Sequence, residues 1–420
     1  MSRHRKLEVL VVGGGPAGIA AAVRAAEAGL QVGIVDDNPS VGGQIWRGEA
    51  SKQSSSLSGE WFQRFSSNKI ELFSGTRIFE IAGEHALAAE NASGTYEFHY
   101  EKLVLATGAR ERFLPFPGWT LPNVVGVGAL QALAKSGVPI KGRKVVIAGT
   151  GPLLLAVGAH LKEYGAEICL IAEQAPIGKL IRFGTALFRT PSKISEGIAF
   201  RRRLAGVPIV TNSWPVSVQG SCKLESVTMR SGNKKWQVRC DYLACGFHLV
   251  PNTELATLLG CKIEDGVVVV DSLQQTNRDS IYCAGEPTGV GGVELSLVEG
   301  EIAGFAIAGK IEAAQRLFPL RTKYRNFAER MERAFALNPK LRDAALPETF
   351  ICRCEDVSLE RLREHSSWRS AKLHTRCGMG PCQGRVCGPA LQFLLGWAPE
   401  SVRPPLSPVR VESLAASVED

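Results

Sequence analysis

The sequence predicts an α/β chain with two Rossmann-like dinucleotide-binding domains, the second inserted in the first, and a small, mainly helical domain at the carboxyl end. Three observations predict it. Two glycine-rich turns each stand between an apolar, β-branched run and an apolar stretch of helical composition. Further strand-and-glycine segments follow in an order that nests one turn inside the other, and after Leu337 the composition shifts towards a segment crowded with cysteine.

The first turn follows the apolar run from Leu7 to Val12. GGGPAG supplies Gly13, Gly15, Pro16, Ala17 and Gly18, and an alanine-rich stretch then runs to Gly29. Strand, turn and helix in that order make a dinucleotide fingerprint. The first glycine permits the tight turn, the second lets the backbone approach a pyrophosphate, and the third lets the helix pack closely on the strand. The positive end of the helix then faces the phosphates. A second strand, QVGIV, ends at Asp36, 18 residues beyond Gly18. That is close to the ~20 expected of a carboxylate that binds ribose hydroxyls.

The second fingerprint, KVVIAGTGPLLLAVGAHLKEYG, carries Gly149 and Gly151 but has Leu154 where the third glycine would stand. A leucine there is expected to push the helix away from the strand. No arginine pair follows the next strand, EICLIAEQAP, to claim a 2′-phosphate. This site is open to NAD, to another adenine nucleotide, or to no ligand. The domain boundaries read from these patterns are 1–118 with 265–320 for the first domain and 119–264 for the inserted one. A connector follows over 321–347, then a cysteine domain over 348–400 and a tail over 401–420.

Composition is that of an ordinary globular chain, with 45% hydrophobic and 21% charged residues. The uncharged apolar run Val145 to Leu161 contains three glycines and a proline. It falls short of the ~20 apolar residues that a membrane span needs, so no transmembrane segment is expected. The basic start MSRHRK precedes too short an apolar run for a secretory signal. The expected location is the cytoplasm, free or peripheral at the inner face of the membrane. A net charge of +8 is spread along the chain without any nucleic-acid motif, and Arg201, Arg202 and Arg203 read as a solvated helix face.

Eleven cysteines in such a compartment argue against a disulfide framework and for thiols, metal ligands or redox groups. Six lie from Cys169 to Cys283 among apolar neighbours and read as buried inert thiols; five crowd between Cys352 and Cys387. CRCEDV at Cys352 leads into SLERLREH, with Ser358 as the expected cap, and then into TRCGMGPCQGRVCGPALQFLLGW. Pro389 suits the first turn of a helix ending near Gly396, which places Cys387 just ahead of it. The glycines of the preceding loop leave it free to curl and present thiolates to one point, with backbone N–H groups and the helix dipole holding their charge. Four thiolates suit zinc or a [2Fe-2S] cluster. The single residue between Cys352 and Cys354 is tighter than usual zinc spacing and favours iron. Spacing alone leaves the remaining ligands open among Cys377, Cys382 and Cys387.

Several segments resemble known families. VGGQIW with Gly43 and Gln44, LVLATGAR with Thr107, Gly108 and Ala109, and IYCAGEP with Gly285 and Glu286 resemble the flavin-contacting segments of two-dinucleotide-domain flavoproteins such as thioredoxin reductase. No C-x-x-C dithiol sits in the inserted domain, so thioredoxin reductase itself is not expected. C-x-C followed by GMGPCQGRVC resembles the ferredoxin-like domain related to bacterioferritin-associated ferredoxin. With GARERFLPFPGW and GVGGVELSLVEG, the chain to about Pro405 resembles the α (A) subunit of FAD-dependent amine dehydrogenase complexes. That group includes opine oxidase, D-hydroxyproline dehydrogenase, dye-linked L-proline dehydrogenase and the hydrogen cyanide synthase flavoprotein subunit.

The resemblance implies FAD held by Gly13, Gly15, Pro16, Ala17, Gly18, Asp36, Gly43, Gln44, Thr107, Gly108, Ala109, Gly285 and Glu286. Glu286 stands where the motif more often has Asp. It implies a [2Fe-2S] cluster on Cys352, Cys354, Cys382 and Cys387, with Cys377 outside the set. It further implies a substrate-oxidising, FAD-containing β subunit, a second flavin (FMN) at a subunit interface, and a quinone or respiratory chain as electron acceptor. The expected function is an electron-transfer subunit of an amine or imino-acid dehydrogenase that needs no catalytic base of its own. No catalytic residue is assigned, and His160, His248, His365 and His374 read as isolated. Two rivals stand beside it: a self-sufficient NAD(P)H-dependent flavin reductase, and a non-catalytic iron-sulphur carrier or sensor.

Two segments read as peripheral. Arg47 to Glu60 is serine-rich and aperiodic, a surface loop, and the proline-rich tail reads as a disordered terminus or, in preference, an extended arm laid on a neighbour.

Overall fold

The computed structural model describes residues 3–48, 56–186, 191–399 and 401–416. It divides into two compact units: residues 1–110, 250–329 and 401–420 form one, and 111–249 with 330–400 form the other.

In the first unit the strand Arg3–Val12 is central. It pairs in parallel with Val32–Asp36 on one side and Gly94–Leu105 on the other, so that Val11 faces both Ile34 and Val104. Ile70–Ser74 extends one edge, the antiparallel strands Ala86–Asn91 and Arg77–Gly83 extend the other, and Ile281–Cys283 also joins Gly94–Leu105 in parallel. The strand begins at Arg3, earlier than its apolar run, because Arg3 to Lys6 find partners in Tyr96 to His99. Val9, Leu10 and Val11 are fully buried, as expected of a parallel strand covered on both faces.

The helix Pro16–Ala26 lies against the helix Val293–Ile307 with no room between them. A Cβ on Gly300 would stand 2.2 Å from the Ala17 oxygen, and one on Gly304 would stand 2.5 Å from the Ala21 oxygen. The four-residue spacing of these glycines puts both on one helix face, which is how two backbones come this close.

The second unit holds a parallel sheet in the order Ile209–Val210, Glu167–Glu173, Lys144–Thr150, Tyr242–Phe247, Val124–Gly126. An antiparallel sheet of Ser213–Gln219, Ser226–Ser231 and Lys234–Arg239 accompanies it. The carboxyl-terminal segment adds a short hairpin, Phe350–Cys352 with Val357–Ser358, and the helices Leu359–Arg363, Trp368–Thr375 and Cys387–Leu395. Ile351, Val357, Leu362, Trp368, Ala390 and Leu391 form its core.

Several expectations are corrected. The tail packs on its own unit: Leu406 N–H donates to the Phe79 carbonyl at 2.8 Å, Leu406 is buried, and Arg410 reaches Glu90 and the Asn91 carbonyl. Apolar Leu406 between prolines anchors what composition alone reads as a disordered terminus or an extended arm. The loop expected to run to Glu60 ends earlier, because Ser56 accepts from Gly59 N and caps the helix Leu57–Ser67; residues 49–55 lie outside the described residues. Cys222 is exposed, unlike the buried thiol expected. Ser358 precedes its helix but makes no side-chain cap; its hydroxyl donates to Glu360. Cys387 is the first residue of its helix, and Gly396 ends that helix in the left-handed conformation. Among the described residues no helix is long and apolar enough to cross a membrane.

Candidate functional site

The three glycines of the first turn do different things. Gly13 has φ 109°, and a Cβ there would meet the Ala106 oxygen at 2.2 Å; on Gly18 it would meet the Gly13 oxygen at 1.8 Å. Gly15 has φ −76°, which any residue adopts, and a Cβ there would find, among the described residues beyond its chain neighbours, only the Gly43 Cα at 4.0 Å. Open surface therefore lies at the amino end of the helix Pro16–Ala26, where backbone N–H groups favour phosphate. Gly42 N–H donates to the Gly14 carbonyl at 2.7 Å and brings the Gly43 turn to the loop, with Gln44 exposed beside it.

Asp36 ends its strand nearly buried. One oxygen accepts from Gly14 N at 2.5 Å, the other from Asn38 N at 2.7 Å and Asn38 Nδ2 at 2.8 Å.

Thr107 and Gly108 are fixed by a residue that sequence reasoning missed. Asn252 donates to the Thr107 carbonyl at 2.9 Å and accepts the Thr107 hydroxyl on its own carbonyl at 2.7 Å, and its N–H reaches the Gly108 carbonyl at 2.9 Å. Ala109 follows, half-buried. Gly285, with φ 80°, comes against the first helix, since a Cβ there would stand 2.8 Å from the Ala17 Cβ.

Glu299 is a second missed residue. Almost fully buried, it accepts from Gly285 N at 3.1 Å and the Thr288 hydroxyl at 2.8 Å, and pairs with Arg325 at 2.7 Å. The available signal was faint, one acid beside Leu297, Val298 and Ile302 in a helix that also carries Glu294 and Glu301; burial singles out Glu299, and buried charges are normally paired. Burial pushes the Glu286 carboxyl up to about 7.

The second turn repeats the first with differences. A Cβ on Gly149 would meet the Gly246 oxygen at 1.8 Å, while at Gly151, φ 96°, nothing lies within 4 Å. Leu154 does not hold the helix off; it is buried in the core, and close approach is made one turn later at Gly158, where a Cβ would meet Ile171 at 3.0 Å and Ile147 at 3.3 Å. Glu173, nearly buried, accepts from the Thr150 hydroxyl at 2.8 Å and from Gly151 N and Ala175 N at 2.7 Å each. Burial raises its carboxyl above the usual range, against those bonds.

All eleven cysteines are free, and the five late ones converge. The sulphurs of Cys352, Cys377 and Cys387 lie within 4.8 Å of one another, all buried. Hydrogen bonds from Cys377 and Cys387 favour a thiolate at Cys352, lowering it to about 2, and raise the two donors. Cys382 and Cys354 stand against each other beside them; burial raises Cys354. A cavity of about 130 Å³ is lined by Trp119, Cys352, Arg353, Cys354, Cys382, Val386 and Cys387. Cys377 is not in its wall.

Glycine makes this loop possible. Cβ atoms on Gly378 and Gly384 would stand 2.8 Å and 3.1 Å from the Trp368 indole, and one on Gly380 would stand 2.3 Å from the Cys354 Cβ. Four thiols around one small cavity fit a compact metal cluster by donor type and number. Of the histidines expected to be isolated, His365 and His374 are stacked, with ring centroids 5.2 Å apart.

Two nested sheets of this topology, each with a glycine turn at the carboxyl edge, define the class: a Rossmann-like, FAD-type oxidoreductase fold. The chain belongs to the pyridine nucleotide-disulphide oxidoreductase family, which matches residues 7–314. It is 30% identical to the hydrogen cyanide synthase subunit HcnB of Pseudomonas aeruginosa, over 91% of each chain. It is 29% identical to the A subunit of opine oxidase from Rhizobium meliloti, over 98% of this chain and 99% of that one. Among solved structures, L-proline dehydrogenase from P. horikoshii aligns with a TM-score of 0.69 and 21% identity, covering 99% of this chain and 80% of that one, which is a likeness of fold.

Proposed function

We propose that the chain is the electron-transferring flavoprotein subunit of a multisubunit dehydrogenase that oxidises the C–N bond of an amine or imino acid of opine, hydroxyproline, proline or glycine type. The observation that carries this reading is the cavity walled by Cys352, Cys354, Cys382 and Cys387 in a chain that matches subunits of hydrogen cyanide synthase and opine oxidase over 91% and 98% of its length.

When bound, FAD accepts electrons in pairs and an iron-sulphur cluster passes them singly. Each part of the protein has its own task. Gly15 leaves room for a pyrophosphate at the helix end, and Pro16, Ala17 and Gly18 set that helix against the strand. Asp36 holds the loop closed through Gly14 and offers its remaining lone pairs to a ribose. Gly43 with Gln44, Thr107 to Ala109, and Gly285 with Glu286 border the rest of the flavin. The four cysteine thiolates would hold two irons, with Trp119 and Val386 shielding them. A β subunit carrying its own FAD would take hydride from the substrate, FMN would sit where the subunits meet, and a quinone or respiratory chain would drain the electrons.

Co-purification from the native host tests this. The expected result is a flavin-containing partner and dye reduction with an amino or imino acid from a panel, together with little flavin bleaching of the single chain by NADH. A chain that is fully active on an amine by itself would overturn the relay.

A further inference from the structure

The family implies a nicotinamide dinucleotide on the inserted sheet, and the residues there do not fit one. Strand order in that sheet reverses between Lys144–Thr150 and Tyr242–Phe247. In open parallel sheets a dinucleotide lies outside the carboxyl ends of the strands at such a reversal. Thr150 closes one of these strands and His248 follows the other.

The Phe335 carbonyl oxygen stands between them. It accepts from His248 Nε2 at 2.8 Å and from Gln174 Nε2 at 3.2 Å, and it lies 3.2 Å from the Thr150 hydroxyl oxygen, whose one proton goes to the nearer Glu173. Since a carbonyl only accepts, His248 carries its proton on Nε2.

Gln174, with no exposed surface, is the centre of this contact. Its amide nitrogen also donates to the Thr150 hydroxyl at 2.9 Å, and its oxygen accepts from Asn338 N at 2.9 Å. The Phe335 ring is buried with Ala175 and packs edge-on to Phe183, ring centroids 5.4 Å apart.

A second difference lies in the turn itself. Gly151 N–H, which would face a pyrophosphate, is held by Glu173 at 2.7 Å. In the first turn the carboxylate instead takes the N–H of Gly14, one residue earlier in the fingerprint.

We infer that Phe335 to Asn338 form a strap, latched by Gln174, that closes the inserted domain's crevice to dinucleotides, so that this domain is a self-filled scaffold and the chain accepts no hydride from NADH or NADPH. Gln174 is a positioning residue that sets this specificity. The inference stands on the inserted unit alone and survives whichever cofactors the rest of the chain carries.

The test is equilibrium dialysis of the purified full chain with NADH, NADPH and ADP-ribose, alongside amide hydrogen exchange over residues 335–338. The wild-type chain is expected to bind none of them saturably up to about 1 mM, weak affinity for a cofactor. Gln174→Ala removes the bonds to Phe335 and Asn338. Because apparent affinity scales with the open fraction, it is expected to speed exchange in the strap and strengthen NADH binding about tenfold or more.

Asn338→Pro, at φ −70° where proline fits, deletes the N–H held by Gln174 together with the side-chain cap on Lys340 N, and should act in the same direction more weakly; it gives the reading if Gln174→Ala does not fold. Stoichiometric NADH binding by the wild type, competed by ADP-ribose, overturns the inference. So does faster strap exchange without any gain in binding, or unchanged exchange in both variants.

Discussion

The two glycine turns of this chain share a fingerprint and differ in access. At the first, Gly15 faces open space and the carboxylate of Asp36 braces the loop from behind through Gly14. At the second, Gly151 is equally uncrowded, but its N–H is taken by Glu173 and the Phe335 carbonyl fills the strand reversal. A glycine pattern therefore specifies a turn and a helix approach; whether a ligand enters depends on segments far away in sequence. Phe335 lies 185 residues from Thr150.

The largest expected effect concerns the third region, the thiols, to which both turns serve as a contrast. Cys354→Ser or Cys382→Ser is expected to reduce bound iron from about two per chain to nearly none, since each removes one of the four ligands proposed above. Cys377→Ser, outside the cavity wall, is expected to leave the iron count unchanged. Iron analysis of anaerobically purified variants reads both.

Next come the glycines whose role is steric. Gly18→Ala and Gly149→Ala each place a Cβ 1.8 Å from a carbonyl oxygen, and both are expected to destabilise by about 3 kcal/mol or more, measured as chemical denaturation of the respective unit. Here the two turns should behave alike.

They should then part. Gly15→Ala suits its φ of −76° and should change stability little, yet it should weaken FAD binding about tenfold, because the methyl faces the phosphate surface. Gly151→Ala, at φ 96°, should cost about 1 kcal/mol of stability through backbone strain and leave flavin content unaltered. Flavin titration of the two variants side by side sharpens the comparison; equal flavin loss would break it.

The smallest effect is a pH dependence. The folded Glu286 carboxyl is raised from the ordinary 4.5 to about 7 by burial, so the fold holds a proton there that the unfolded chain has released. Its contribution to stability is full below pH 4.5 and is lost as pH rises through 7. FAD affinity should weaken in the same direction as the carboxylate forms beside an anionic cofactor. Glu286→Gln should flatten both profiles between about pH 5 and 8, a range set by the shifted carboxyl.

Much of this was legible in the sequence, and for identifiable reasons. The strand, turn and helix around Gly13 follow from local periodicity and from positions that no side chain can occupy. The crowding of Cys352 to Cys387 is visible as spacing. What sequence left hidden depends on contacts between distant positions: Asn252 against Thr107, Glu299 under Gly285, and the return of the tail to Phe79. Leu154 was misjudged because the fingerprint's third glycine has a substitute in Gly158, a turn further along the same helix. Cys377 marks a different limit. Spacing does not decide between it and its neighbours, and the fold puts it outside the cavity wall yet with its sulphur within 4.8 Å of those of Cys352 and Cys387.

One measurement bears most directly on the relay: iron and acid-labile sulphide content, with electron paramagnetic resonance after dithionite reduction, on the anaerobically prepared chain. About two irons and two sulphides per chain with a reduced [2Fe-2S] signal are expected. Zinc in their place, or no metal with five reactive thiols, would contradict the account.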